Sequence, residues 1–269
     1  MLPVCRDFRD EVDELHAFLE TLAPEDWERE TQFMAWTPWD VVAHLHYFDL
    51  LSRVSLEGED AFAPERTALF RAVAAGRTNK ELARERFADL DAPKLLARWR
   101  ETAHALAEAL GACDPKRRLP WFGPDMGVAM FTTARLMETW AHGQEIYDLV
   151  GAARTPTDRL KNIATIGVKT FGWTFANRTL EIPGPPPYVR LVAPSGAIWE
   201  WGEPNEAECV RGDALDFCHV VTQVRNVADT KLEVRGPVAA RWMAIAQCFA
   251  GGATDPPAPG ARGPQRPAV

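Results

Sequence analysis

Residues 126–150, MGVAMFTTARLMETWAHGQEIYDLV, read as one long helix that ends at Gly151. The stretch contains no proline and carries apolar residues through its whole length. Within it Glu138 and His142 are four residues apart. At 3.6 residues per turn they share one face, one above the other, and both can reach a common metal ion. Imidazole nitrogen and carboxylate oxygen suit zinc and several other divalent ions. Pairs at this spacing also occur as ordinary solvated contacts on helix surfaces, so a metal centre needs a further ligand from another part of the chain.

Upstream, Ala35–Trp36–Thr37–Pro38–Trp39–Asp40 reads as a helix start. Thr37 can cap, Pro38 suits the first helical position, and Asp40 suits the positive end of the helix dipole. The helix continues through VVAHLHYFDLLSRVSLEG to Gly58 and carries His44 and His46. Two residues along a helix is a rotation of about 200°, so the two rings point to opposite sides and cannot easily share one ion. Asp40, His44, Phe48 and Leu51 share one face, and His46 goes with Leu50 and Arg53. Spacing leaves open which histidine faces the long helix.

The remaining N-terminal pattern is helical. Phe8, Val12, Leu15, Leu19 and Leu22 recur at helical spacing over residues 7–22. Residues 60–90 predict one or two weakly amphipathic helices, and residues 91–111 another helix. Pro115, Pro120, Gly123 and Pro124 mark residues 112–124 as a loop. Thr155–Pro156–Thr157–Asp158 repeats the start at residue 37 and opens a helix to Asn177. The run IPGPPP, residues 182–187, is a stiff break. Beyond it YVRLVA and AIWEW alternate around the turn PSG and predict a β-hairpin. Residues 207–211 predict a third strand, GDALDFCHVVTQ a short helix, TKLEVRG a fourth strand and PVAARWMAIAQCFAG a helix. The fold class is thus α+β: an up-down helical bundle over residues 1–180, a small α+β domain over 181–251, and a Pro/Gly/Ala-rich tail over 252–269 that is expected to be disordered.

Composition narrows the function. The 269 residues are enough for two cores, and 46% hydrophobic with 25% charged residues is ordinary for a soluble globular chain. A net charge of −8 argues against a nucleic-acid surface. No stretch is long and apolar enough for a membrane span, and the acidic N-terminus MLPVCRDFRDEVDELH is not a signal peptide, so the cytoplasm is the expected location. Cys5, Cys113, Cys209, Cys218 and Cys248 are odd in number and form no CxxC pair, so reduced thiols are expected. The chain has no Gly-rich phosphate loop, no GxSxG and no HExxH.

Two motifs carry a resemblance. The pattern W-x7-H-L, from Trp36 to His44 and Leu45, is followed by E-x3-H in METWAHGQEI. Together they resemble the DinB-like metal-binding bundle, and more closely the family of mycothiol-dependent maleylpyruvate isomerase. In that branch the bundle precedes a domain resembling sterol-carrier protein 2 (SCP2-like), and VRLVAPSGAIWEWG, GDALDF and LEVRGPVAARWMAIAQCFAG fit it. The TWAHGQ and ALDFC segments look closest to an actinobacterial branch of metal-binding proteins. Carried over by position, the resemblance implies metal ligands at His44, Glu138 and His142 and no role for His46. It also implies an arginine anchor for substrate, whose nearest match is Arg225 in VTQVRN; Gln223–Val224 precede it where the family has W-L-x-G-R.

Two histidines and one carboxylate leave coordination positions open, as in catalytic rather than closed structural sites. The resemblance therefore implies a divalent-metal-dependent enzyme, with Zn2+ the expected ion and Fe2+ or Ni2+ also compatible with the donors. It implies mycothiol or another small thiol as cofactor and an electrophilic or unsaturated small molecule as substrate, in an isomerase or S-transferase reaction. The alternatives are a thiol-independent hydrolase, lyase or cyclase of biosynthesis, and a non-catalytic small-molecule-binding protein. Asp49, Tyr47 and Gln144 lie near the ligands in sequence, and Trp36, Trp39 and Trp140 are candidate apolar walls.

Overall fold

Two of the long N-terminal helices, those that follow Thr37 and Asp91, begin where a side chain satisfies a free backbone donor of the first turn. The Thr37 amide donates to Asp40 Oδ2 at 2.9 Å, and the Asp40 amide donates back to Thr37 Oγ1 at 3.3 Å, a reciprocal capping box. Asp91 accepts from the Lys94 amide at 3.0 Å. In the computed structural model, which describes residues 2–265, the resulting elements are α1 (Pro3–Leu19), α2 (Pro38–Glu57), α3 (Glu59–Ala74), α4 (Asn79–Arg86), α5 (Ala92–Ala112), a short ladder of β1 (Arg118–Leu119) with β2 (Met126–Gly127), and α6 (Val128–Val150).

Helices α1, α2, α5 and α6 pack on one another, and α3 and α4 cover α2. Their apolar stripes meet in a core of Phe8, Val12 and Leu15 from α1, Leu45 from α2, Leu95, Trp99 and Leu106 from α5, and Phe131 and Leu136 from α6. Each such side chain contributes about 1.5–3 kcal/mol on burial. Two boundaries differ from expectation. Helix α1 starts at Pro3 and stops at Leu19, leaving Leu22 in the turn before Pro24. Helix α6 starts at Val128 because Met126 and Gly127 pair with Leu119 and Arg118, so the expected loop carries a strand.

The chain divides into two units, Met1–Val150 and Gly151–Val269. The second contains α7 (Leu160–Lys169), α8 (Phe171–Ala176), β3 (Tyr188–Val192), β4 (Ile198–Trp201), β5 (Cys209–Asp213), α9 (Ala214–Val221), β6 (Glu233–Arg235) and α10 (Pro237–Met243). Its sheet runs β4-β3-β5-β6. The β3–β4 hairpin is antiparallel with Leu191 opposite Trp199, β3 and β5 are parallel, and β5 and β6 are antiparallel.

Three expectations are corrected here. The boundary lies at 150/151 rather than 180/181, because α7 packs on α9 inside the second unit. Gly167 permits that approach: a Cβ there would meet Val221 Cγ2 at 2.8 Å. The helix expected to open at Thr155–Pro156–Thr157–Asp158 begins at Leu160 and breaks at Thr170; Asp158, placed like Asp40 in sequence, instead accepts from the Ser195 amide at 3.1 Å. The tail expected to be disordered is tied down over 252–265: Thr254 Oγ1 donates to Gln223 Oε1 at 2.8 Å, Asn226 Nδ2 to the Pro257 carbonyl at 2.8 Å, and the Gly260 amide to Asp229 Oδ1 at 2.9 Å. Residues 266–269 of that tail lie outside the described residues.

Candidate metal centre

Helices α2 and α6 bring His44, Glu138 and His142 together in the first unit. One ligand atom from each lies within 4.8 Å of the others, and this is the one such group among the described residues. Glu138 Oε2 stands 3.3 Å from His44 Nε2 and 3.4 Å from His142 Nε2. Ligand atoms bound at about 2.0–2.1 Å with tetrahedral angles sit roughly 3.4 Å apart. The carboxylate–imidazole spacings therefore match the edges of a metal polyhedron, and two nitrogens with one oxygen are donors that a divalent cation accepts.

The protonation states suit the same donors. Burial pulls His44 down to about 4, with the Glu138 hydrogen bond offsetting only part of the shift. Burial alone would raise the Glu138 carboxyl, but hydrogen bonds from His142 and His44, together with their charges, hold it well below the usual carboxylate range. Near neutrality the site presents a neutral His44 ring and an ionised carboxylate, the forms that ligation requires.

Aromatic rings enclose the pair of imidazoles. Trp36 stacks on His142 with centroids 5.4 Å apart and lies 5.0 Å from His44. Phe33 meets His142 edge-on at 5.2 Å, and Phe48 lies 4.7 Å from His44. His44 Nδ1 is buried without a hydrogen-bond partner, so packing rather than a polar contact at that nitrogen orients the ring. Trp36 reaches the site from a turn closed by the Thr31 amide on the Trp36 carbonyl at 2.8 Å and the Trp36 amide on the Phe33 carbonyl at 2.9 Å. Met34 and Ala35 inside that turn adopt φ of 51° and 53°, left-handed conformations that cost of order 1–3 kcal/mol each for residues with a side chain.

The other candidates separate clearly. His46 faces away and stacks on Phe87 at 4.7 Å, so the structure answers the question that spacing left open. Trp39 donates to the Leu90 carbonyl at 3.2 Å, and Tyr47 lies under Arg86. Gln144 Nε2 donates to Asp148 Oδ1 at 3.1 Å. Asp49 is fully buried, accepting from Trp99 Nε1 at 3.1 Å and from Arg135 Nε at 2.9 Å. Arg135 was not anticipated from the sequence. Its signal was a charge on the face of α6 that carries Glu138, matched by an acid on an equally apolar α2. Arg225 lies in the second unit, buried just after α9, with Nη1 donating to the Val224 carbonyl at 3.0 Å. The preceding Gln223, at φ 58°, holds the tail through Ala246 and Thr254.

Comparison with known proteins bears on the family and the fold. Residues 8–147 match the mycothiol maleylpyruvate isomerase N-terminal domain. Two uncharacterized proteins of Mycobacterium tuberculosis, from strains CDC 1551 / Oshkosh and ATCC 25618 / H37Rv, are 39% identical over 249 residues, spanning 93% of this chain and 96% of each relative. The crystal structure of the mycothiol-dependent maleylpyruvate isomerase aligns with a TM-score of 0.51 at 13% identity, covering 81% of this chain and 88% of that one; a point mutant of the same enzyme aligns equally. At that identity the alignment shows the fold: a helical N-terminal part followed by a small sheet domain. The chain belongs to the mycothiol maleylpyruvate isomerase N-terminal domain family, and the DinB-like resemblance stands with it.

Proposed function

We propose that the protein is a divalent-metal-dependent enzyme that joins a small thiol, mycothiol or a relative of it, to an electrophilic or unsaturated small molecule. His44, Glu138 and His142 would hold the ion, with Zn2+ the best match to the donors. The observation that carries the reading is the convergence of two imidazole nitrogens and one carboxylate oxygen within 4.8 Å, with Trp36 and Phe48 packed against His44. A cation held there supplies a Lewis acid that lowers the pKa of a bound thiol or water, or polarises a carbonyl.

The chain's own residues set the conditions for that chemistry. Glu138 offers its charge to both imidazoles. Trp36, Phe33 and Phe48 exclude water from one side of the centre, which strengthens every charge interaction within it. Arg225 is proposed as the anchor of a substrate carboxylate, through the bidentate contact a guanidinium offers.

Turnover of maleylpyruvate and other electrophilic acids by the Zn2+-loaded protein, with and without a low-molecular-weight thiol, tests the reading. We expect thiol-dependent turnover that His142→Ala abolishes. Metal-dependent turnover that ignores thiol would replace it with the hydrolase, lyase or cyclase alternative. Ligand binding that survives loss of the metal, with no turnover, would favour a binding protein.

A further inference from the structure

We propose that Asp49 and Arg135 form a positioning pair that sets the register of His44 against Glu138 and His142; the inference rests on the metal-site reading above. Arg135 is 2% exposed and Asp49 0%. The guanidinium makes two contacts with α2: Nε donates to Asp49 Oδ1 at 2.9 Å, and Nη2 to the Leu45 carbonyl at 3.4 Å. Asp49 Oδ2 accepts from Trp99 Nε1 of α5 at 3.1 Å. Three helices therefore meet at one ion pair.

The placement explains why the pair bears on the ligands. Arg135 is three residues before Glu138 and seven before His142, so the three side chains fall within about 60° of one another around α6. On α2, the Leu45 carbonyl adjoins His44, and Asp49 is one turn further along. A rigid planar fork held at two points one turn apart resists both sliding and rotation of α6 on α2. Sliding by a fraction of a turn would part Glu138 Oε2 from His44 Nε2 while leaving His142 in place, because Glu138 and His142 ride on the same helix. His44 lacks a hydrogen bond at Nδ1, so its position depends on where α2 stands. Arg135 and Asp49 touch no reacting atom in this scheme; they act through the ligands.

The test uses the full chain loaded with Co2+, whose visible ligand-field spectrum reports ligand placement and is insensitive to global stability. Affinity comes from competition with a chromophoric chelator, and the metal-free thermal midpoint is measured in parallel. Asp49→Asn removes the charge at nearly constant shape. The double variant Arg135→Met with Asp49→Leu removes both charges, a replacement that commonly leaves a fold as stable or more so. We expect either folded variant to lose 10–100-fold in Co2+ affinity, the range typical for groups that orient metal ligands, with a shifted spectrum. Wild-type affinity and spectrum in either folded variant overturns the proposal. Should the double variant fail to fold, Asp49→Asn decides by the same readouts. If the wild type takes up no Co2+, the metal-site reading itself falls, an outcome the variants cannot mimic.

Discussion

The two units bury polar groups for different ends. In the first, buried charged and imidazole side chains gather on α2 and α6: Asp40, His44, His46, Asp49, Arg135, Glu145 and Asp148 are all 6% exposed or less. In the second, the buried polar residues are mainly hydroxyls and amides, Thr174, Thr222, Gln223 and Gln247, whose hydrogen bonds steer backbone. Gln247 Oε1 accepts from the Thr254 amide at 3.1 Å, and the Gln247 amide donates to Thr174 Oγ1 at 3.2 Å. Buried charge is costly unless paired, so a unit that concentrates it at two helices is organised around a site. A unit that buries amides is organised around the path of its chain.

Substitutions that separate the units sharpen this contrast. The largest effect is expected from Glu138→Gln, which removes the charge shared by both imidazoles; bound metal should fall from one equivalent to none by elemental analysis, with the fold retained by circular dichroism. Next, Arg135→Ala leaves Asp49 charged and buried without its partner, and should cost about 3–5 kcal/mol in chemical denaturation. Gly167→Ala overpacks the α7–α9 contact, where the added Cβ meets Val221 Cγ2 at 2.8 Å and Phe217 Cε1 at 3.0 Å. A loss of about 1–3 kcal/mol is expected, with metal affinity unchanged; a change in affinity would break the division of labour.

A smaller effect concerns pH. Burial pushes the Asp40 carboxyl up, but the Arg84 hydrogen bond and the Thr37 amide more than offset it, so the group titrates below its ordinary value of 3.8. A depressed folded pKa means that this stabilisation is present above the unfolded value and is lost as pH falls through the folded one. Because Arg84 is half exposed, its share is discounted for solvent screening, and Asp40→Asn should cost about 1 kcal/mol near neutrality. The gap between wild type and variant should narrow below about pH 4; a constant gap would show that the charge is not involved. Smallest, Ala35→Gly relieves a left-handed conformation at φ 53° and should leave stability unchanged or raise it by up to about 1 kcal/mol, with metal binding intact.

Much of this was legible in the chain because it depends on local signals. The capping box at Thr37 and Asp40, the helix carrying Glu138 and His142, and the PSG hairpin each follow from residues a few positions apart. Where the reading failed, a distant partner decided. Asp158 looks like Asp40 in sequence, yet it bonds the Ser195 amide and the helix starts later. The tail is rich in Pro, Gly and Ala, but Gln223, Asn226 and Asp229 supply donors and acceptors that composition does not show. The choice between His44 and His46 rested on family resemblance, because helical periodicity places both on apolar faces; Phe87, forty-one positions beyond His46, is what occupies the second face. Arg135 escaped notice for the same reason, since its meaning lies in Asp49 on another helix.

The account stands on the identity of the atoms around the cation. X-ray absorption of the Zn2+-loaded protein in thiol-free buffer reads them directly. The expected spectrum contains two imidazoles and oxygen donors at about 2.0–2.1 Å and no sulfur. A sulfur shell near 2.3 Å, drawn from any of the five cysteines, or the absence of imidazole scattering, would contradict it.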